Sequence, residues 1–250
     1  ATTVPTLTEP TQVSAGNEYT CALDDTGVTC WGDGEYGKTP VPDSLSNPTQ
    51  VSAGDDHTCA LDDSDNGVTC WGDGEYGQTT IPTLTNPTQV SAGNEHTCAL
   101  DDTGAVCWGN GGNGRATAPT LTNPTQVSAG GLHTCALDDT GAVCWGYNAN
   151  GRATAPTLTN PTQVSAGKAH TCALDDTGAV CWGIGSNGQT RGPTLSNPAQ
   201  VSAGGFHTCA LDDKGVHCWG SNGNGQSTIP NLFIDPDGDG YNNQGGIDPF

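Results

Sequence analysis

A chain of 250 residues with 6 Lys and Arg against 27 Asp and Glu carries a formal charge of −21, which opposes binding to nucleic acid or to an anionic membrane surface. With 37 Gly, 16 Pro, 33% apolar residues and 6% aromatics, the composition favours many tight turns over a large apolar core, and no run is long enough to span a membrane as a helix. The 12 Cys, an even number, supply the missing stabilisation as disulfides and point to an oxidising compartment; a chain without Met that opens at Ala1 is expected to be the mature product of signal-peptide cleavage.

The chain opens with Val4-Pro5-Thr6-Leu7-Thr8, a segment like the links that join later copies of a repeat. The repeat itself, TQVSAG-x-x-(H/Y)-TCALDD…CWG, begins at Thr11, Thr49, Thr88, Thr125 and Thr162, and as AQVSAG at Ala199. Its first Cys falls at residues 21, 59, 98, 135, 172 and 209, in steps of 38, 39, 37, 37 and 37. That period, with Gly turns and a Trp-Gly in each unit, reads as the blade of a β-propeller. The opening segment is then expected to complete the last blade and tie the ring shut.

The fourth copy gives the elements in order. Gln126-Val127-Ser128-Ala129 alternates and predicts one short strand, and His133-Thr134-Cys135-Ala136-Leu137 a second. Asp138-Asp139-Thr140-Gly141 is turn chemistry, and Ala142-Val143-Cys144-Trp145 is the returning strand. A further turn at Asn148-Ala149-Asn150-Gly151 leads to a weak outer strand near residues 152–155, and Pro156-Thr157-Leu158-Thr159-Asn160-Pro161 links to the next copy. No segment repeats its apolar residues every 3.6 positions, so almost no helix is expected. The fold class is all-β, a six-bladed propeller over residues 1–234, with a separate tail at residues 235–250.

Within each copy the two Cys enclose the hairpin turn. If Cys135 faces Cys144, Leu137 faces Ala142 and both sulfurs lie on one face of the ribbon. In the second copy Cys59 and Cys70 are 11 apart rather than 9, and the two extra residues fall in the turn, which keeps the strands in phase. Six bridges are therefore predicted: Cys21–Cys30, Cys59–Cys70, Cys98–Cys107, Cys135–Cys144, Cys172–Cys181 and Cys209–Cys218. Zinc held by His133, Cys135 and Cys144 is the competing reading. Tyr19 stands where the other copies have His, yet both Cys remain, which a disulfide explains and a metal site does not.

Ser128, His133 and Asp138 have equivalents in most copies. Catalytic groups rarely come in such sets, and the adjacent carboxylates Asp138-Asp139 in a hairpin turn point different ways, so no enzyme is expected. The copies differ most in the pair before each His and in the residues after each Trp-Gly. Tyr36, Tyr76, Leu132, Tyr147, Ile184 and Phe206 are apolar or aromatic there and form the candidate contact surface. Charge is uneven as well. With the turn Asp pairs set aside, residues 1–95 hold many acids and one base, Lys38, whereas residues 96–234 add Arg115, Arg152, Lys168, Arg191 and Lys214 and no further acid.

The tail breaks the repeat. Asp235, Asp237 and Asp239 stand on alternate residues before Gly240, as a hard cation requires; Tyr241 through its carbonyl, Asn243 and Asp248 complete the candidate Ca2+ ligands. Gly246 occupies the place where a hand-like loop carries a bidentate acid, and Asp248 comes two residues later. The segment resembles the calcium loops of thrombospondin type-3 and dockerin repeats.

The motif VSAG-x-x-HTCALDD-x-G-x-VxCWG-x-x-x-x-GQ resembles the repeat of the regulator of chromosome condensation family in its bacterial, Cys-containing, secreted form, over about residues 11–230. The resemblance implies a propeller with four-stranded blades, seven of them in well-known members. Those members include exchange factors on chromatin, enzyme inhibitors and surface adhesins, and the fold does not choose among such roles. The chromatin role sits poorly with six disulfides and a charge of −21. The expectation is a secreted, non-enzymatic, extracellular or cell-surface scaffold that self-assembles head to tail into rings, filaments or tubes with the help of calcium; the alternative is a lectin-like or adhesin-like module for glycans or a partner protein.

Overall fold

A computed structural model describes residues 4–63 and 67–229. Blade 1 is built from β1 (Gln12–Ala15), β2 (Tyr19–Asp24) and β3 (Gly27–Gly32), and blade 2 from β4 (Pro48–Ala53), β5 (His57–Asp62) and β6 (Gly67–Gly72). Blade 3 holds β7 (Gln89–Ala92), β8 (His96–Asp101) and β9 (Gly104–Gly109), and blade 4 holds β10 (Gln126–Ala129), β11 (His133–Asp138) and β12 (Gly141–Gly146). Blade 5 comprises β13 (Gln163–Ala166), β14 (His170–Asp175) and β15 (Gly178–Gly183); blade 6 comprises β16 (Gln200–Ala203), β17 (His207–Asp212) and β18 (Gly215–Gly220). Each blade is a three-stranded antiparallel meander, and together they form a six-bladed β-propeller.

The alternation of the sequence sets the register. In blade 4, Cys135 pairs with Cys144, Leu137 with Ala142 and Val127 with Ala136. All six predicted disulfides are present, with Cα atoms 4.0–4.1 Å apart. The longer turn of blade 2 leaves Cys59 opposite Cys70, as expected for a two-residue insertion. Glycine closes each hairpin: Gly141 has φ +115°, a value that L side chains rarely adopt.

The fourth strand implied by the family resemblance is absent among the described residues. Residues 152–155 lie beyond a single 3-10 turn at Ala149–Gly151, and their donors are already used: Ala153 N–H bonds to Asn148 Oδ1, and Thr154 N–H to the Gly151 carbonyl. Pro156 then has no N–H to offer a ladder. In the N-terminal segment Thr8 N–H donates to Asp24 Oδ2 and the Thr8 carbonyl accepts from Asp25 N–H, the same clip that every later link makes to the blade it enters.

The joint between blades is largely polar, as seen between blades 3 and 4. Val127 N–H donates to Gln89 Oε1 (2.7 Å), Ala129 N–H to Ser91 Oγ (2.9 Å), and Asn94 N–H to the Gly130 carbonyl (3.3 Å). The Arg115 carbonyl, leaving blade 3, accepts both the Thr134 hydroxyl (2.9 Å) and Trp145 Nε1–H (3.0 Å) of blade 4. Small apolar clusters fill what remains, such as Cys98, Leu100, Val127, Ala129, Ala136 and Trp145. A side chain on Gly93 would meet the Gly130 carbonyl at 2.6 Å, so the close approach of the blades depends on glycine there.

Five such joints run from blade 1 to blade 6. Among the described residues no hydrogen bond joins blade 6 back to blade 1. Val13 is 68% exposed where its equivalent Val51 is 1% exposed.

Each disulfide closes a short loop, worth about 2–3 kcal/mol in the chain-entropy model. Replacing Cys135 and Cys144 together by Ala is therefore expected to lower unfolding free energy by about that amount. Urea denaturation measures it, and an unchanged midpoint would contradict the role assigned to the bridge.

Candidate interaction surfaces

The propeller has two unlike ends. Loops after the third strand meet those between the first and second, because Asp33 N–H bonds to the Glu18 carbonyl, Tyr147 N–H to Leu132, Ile184 N–H to Ala169 and Ser221 N–H to Phe206. All six sequence-predicted contact residues therefore lie at this loop end. Tyr36, Tyr76, Tyr147 and Phe206 are exposed, while Leu132 and Ile184 are half-buried. Tyr147 and Leu132 share one blade, whereas Tyr36, Tyr76, Ile184 and Phe206 stand on four others.

One position controls each of these loops. Where it is Gln, the side-chain oxygen accepts a backbone N–H two residues back, as Gln78 does from Tyr76, Gln189 from Asn187 and Gln226 from Asn224. Where it is Lys38, Arg115 or Arg152 no such acceptor exists, and the residue two before it turns left-handed: Tyr36 at φ +59°, Asn113 at +60° and Asn150 at +63°. Asn tolerates that conformation better than Tyr.

The same position organises charge. Lys38 is buried; its Nζ lies 3.1 Å from Asp33 and 3.3 Å from Asp56, and 5.2 Å from the Tyr19 ring centroid. Burial works against its charge, but the two carboxylates hold the ammonium above its usual range. The Glu35 N–H, followed by Lys38, pulls the Asp33 carboxyl below its usual range. Arg115 reaches Glu95 at 2.7 Å, and the Arg152 guanidinium lies over the Tyr147 ring at 5.0 Å. Part of the acidic arc expected from the sequence is thus neutralised inside the loops. Lys168 Nζ approaches Asp55 at 3.9 Å, joining blade 5 to blade 2, and desolvation raises the Asp55 carboxyl.

The hairpin end carries an Asp pair in every blade. The first Asp is a clip: Asp138 accepts from Thr122 N–H, Thr140 N–H and the Thr140 hydroxyl, tying the incoming link to the turn. Burial opposes its charge, yet these donors leave its carboxyl below the usual range, as at Asp101 and Asp175. At Asp24 the hydrogen bond from Thr26 leads, and at Asp212 the one from Ser196. The second Asp accepts from a link Asn, as Asp139 does from Asn123.

A central channel of about 470 Å³ is lined mostly by Ala and Gly, among them Ala53, Ala92, Gly130 and Ala166. Ser128, His133 and Asp138 are not assembled beside it. Ser128 Oγ accepts Ala166 N–H, His133 bonds Thr171, and Asp138 sits at the hairpin turn. Zinc has no thiolates, since Cys135 and Cys144 are joined, and among the described residues no group of three His, Cys, Asp or Glu is placed to hold a metal. The calcium ligands proposed at Asp235, Asp237, Asp239, Tyr241, Asn243 and Asp248 lie outside the described residues.

Sequence reasoning missed the histidine ladder. His57, His96, His133 and His170 are fully buried, each with Nε2 2.7–2.9 Å from a Thr hydroxyl of the next blade. That hydroxyl spends its hydrogen on a loop carbonyl, as Thr134 does on Arg115. The histidine must therefore donate from Nε2 and stay neutral, with Nδ1 unprotonated. Burial lowers the pKa of His57 and His170 to about 4 and of His96 and His133 to about 3. The Thr after each His, at a fixed offset in all copies, was the available signal. Tyr19 replaces the first rung: its hydroxyl donates to the His57 carbonyl at 2.7 Å and lies 2.9 Å from the Thr58 hydroxyl.

These features define a disulfide-bonded propeller of repeated blades whose polar side chains serve joints and loops. The chain belongs to the family of the Regulator of chromosome condensation (RCC1) repeat, whose model matches residues 11–38, 49–78, 88–115, 125–152, 162–189 and 199–226. Among solved structures it is similar to the ectodomain of the Physcomitrella patens receptor kinase CR4, at 27% identity and TM-score 0.73, covering 87% of this chain and 63% of that one. The chain thus spans less than two thirds of that relative. It is also similar to the CRINKLY WD40 ectodomain of the Arabidopsis thaliana receptor kinase ACR4, at 28% identity and TM-score 0.68, covering 83% of this chain and 78% of that one. Yeast RCC1 (Prp20), solved with Kap60, matches at 18% identity and TM-score 0.72, covering 85% of this chain and 70% of that one, a likeness of fold. No curated protein matches by sequence.

Two predictions follow from the geometry. A neutral buried His has a lower pKa folded than unfolded, so its contribution is complete above about pH 6.5 and is lost as pH falls toward the folded values of about 3–4. The clip aspartates add a second loss below about pH 4, because their pKa values are also depressed. Melting temperature should decline from pH 7 to pH 4 and steeply below it; a flat profile would refute the assigned protonation states. Separately, Asp138→Ala should cost about 1–3 kcal/mol by stranding the Thr122 and Thr140 donors, as read by chemical denaturation.

Proposed function

We propose that this chain is a non-catalytic extracellular scaffold that associates end to end with further copies of itself. The observation that carries this is the uneven charge of its surface: an acidic hairpin end, and a loop end that is acidic on blades 1–3 but bears bases without acids on blades 4 and 5. The hairpin end presents an Asp pair from every blade, held ionised by backbone donors where the clips form. At the loop end, blades 4 and 5 carry exposed Lys168 and Arg191, with Arg152 beneath Tyr147, and no acid in those loops. Unlike surfaces on one molecule favour head-to-tail contact, which closes into rings or runs on as filaments.

An extracellular setting is supported by six disulfides in a chain with little apolar core, and by likeness to two receptor-kinase ectodomains. No helix among the described residues is long and apolar enough to cross a membrane. Calcium held by the tail residues Asp235, Asp237, Asp239, Tyr241, Asn243 and Asp248 is proposed to strengthen the contact. A non-catalytic role is supported by the dispersal of Ser128, His133 and Asp138 into separate structural bonds. Histone binding, given for the yeast protein Prp20p, is not carried over; that likeness is 20% identical and extends to the fold.

A second reading rests on exposed Tyr36, Tyr76, Tyr147 and Phe206 gathered at the loop end, which suits a glycan-binding or protein-binding face. Electron microscopy and analytical ultracentrifugation in calcium and in chelator separate the two. Polymers that shorten in chelator and in high salt support assembly. Monodisperse monomers that bind a glycan array would replace it with the second reading.

A further inference from the structure

We propose that the loop-end mouth of the central channel binds a small zwitterion with an apolar tail, of the class of a free amino acid, with its ammonium on Asp55 and its carboxylate on Lys168. The inference starts from how the repeat divides constant from variable residues. All six copies read Ser-Ala-Gly where the first strand ends, and the Ala and Gly of every copy line the channel. The residue after that Gly differs between copies: Asn17, Asp55, Asn94, Gly131, Lys168 and Gly205. All six of these also stand at the channel. The wall is thus constant, and the mouth is where the copies diverge, as expected of a recognition site on a rigid scaffold.

The wall suits an apolar occupant. Its backbone donors are already engaged: in blade 4, Ala129 N–H goes to Ser91 Oγ, Gly130 N–H to the His133 carbonyl and Gly131 N–H to the Gly167 carbonyl. What remains for an occupant is Ala methyl groups and Gly, around a space of about 470 Å³, within the range of small-molecule sites. The mouth, by contrast, holds one charge of each sign. Asp55 of blade 2 and Lys168 of blade 5 meet across the opening at 3.9 Å. That distance is too long for a hydrogen bond, and Lys168 is 50% exposed on a flexible stem.

Asp55 is the less satisfied partner. It is 27% exposed, and desolvation raises its carboxyl more than Lys168 lowers it. A desolvated carboxylate without a close donor is costly, and an ammonium at hydrogen-bond distance relieves that cost. Asn17 and Asn94 flank Asp55 on blades 1 and 3 and offer amide oxygens to the same ammonium. Gly131 packs on the backbone of Lys168, where a Cβ would meet the carbonyl at 2.6 Å, and leaves no side chain to crowd the lysine. A simple ion would serve only one of the two poles. An α-amino acid carries both charges on one carbon, so it bridges the loose pair once Lys168 swings outward, and its side chain enters the channel. This site is separate from the end-to-end contact proposed above.

The test is isothermal titration calorimetry on the full chain with L-leucine and L-phenylalanine. N-acetyl-L-leucine lacks the ammonium, L-leucine amide the carboxylate and glycine the tail. The site requires one of the two amino acids to bind; for L-leucine, each of the three analogues should bind about tenfold more weakly or worse. This comparison uses the unaltered protein, so it does not depend on any variant folding. Asp55→Asn and Lys168→Gln should each weaken binding by about tenfold while circular dichroism and melting temperature stay near the parent values. Three results would overturn the site. Neither amino acid binding at millimolar concentration is the first. The second is N-acetyl-L-leucine binding as tightly as L-leucine, which would leave Asp55 without a role. The third is affinity unchanged in both folded variants, which would place the ligand elsewhere and leave the Lys168–Asp55 pair a structural tie.

Discussion

The joint between adjacent blades is the interaction on which this molecule depends. It is a set of short hydrogen bonds from one repeat to the next: Gln and Ser oxygens to backbone N–H groups, His to Thr, and Thr and Trp to one loop carbonyl. Few large apolar side chains are available, so the blades are joined by groups that small polar residues can supply. Such bonds are individually modest but expensive to leave unmade once buried, which makes the joint specific as well as cohesive. Gly93 and its equivalents allow the approach, and the disulfides hold each ribbon in the register that the joint requires.

Val13 and Leu211 are exposed at the seam between blades 6 and 1, where no described residue completes the joint, while their equivalents in the other blades are buried or half-buried. What differs between the copies is as informative as what repeats. Lys38, Arg115 and Arg152 replace the loop Gln in three blades, and each is drawn into ion pairs or onto a tyrosine ring. Diversity is thereby confined to one end of a rigid body, where binding surfaces of propellers are built without disturbing the joints.

Family membership fixes the architecture more firmly than the role. The similar structures include receptor ectodomains and a yeast protein solved with Kap60, so one scaffold serves unlike purposes. The six disulfides of this chain favour an oxidising setting.

The strands, the turn insertion in blade 2 and every disulfide were legible in the sequence. Each depends on neighbours within one copy, where alternation and turn length decide which side chains face each other. The apolar and aromatic loop residues were legible as variable positions, but their gathering at one end was not. The partners of Lys38 and the neutral histidines belong to contacts between copies, 15–40 residues apart. The weak outer strand read from the sequence at residues 152–155 does not form, since those residues spend their donors on the preceding turn. The sequence by itself determined the blade, because a blade is local. Only the tertiary structure decided how blades meet and which charges are neutralised, because those outcomes depend on burial and on donors and acceptors brought together from different copies.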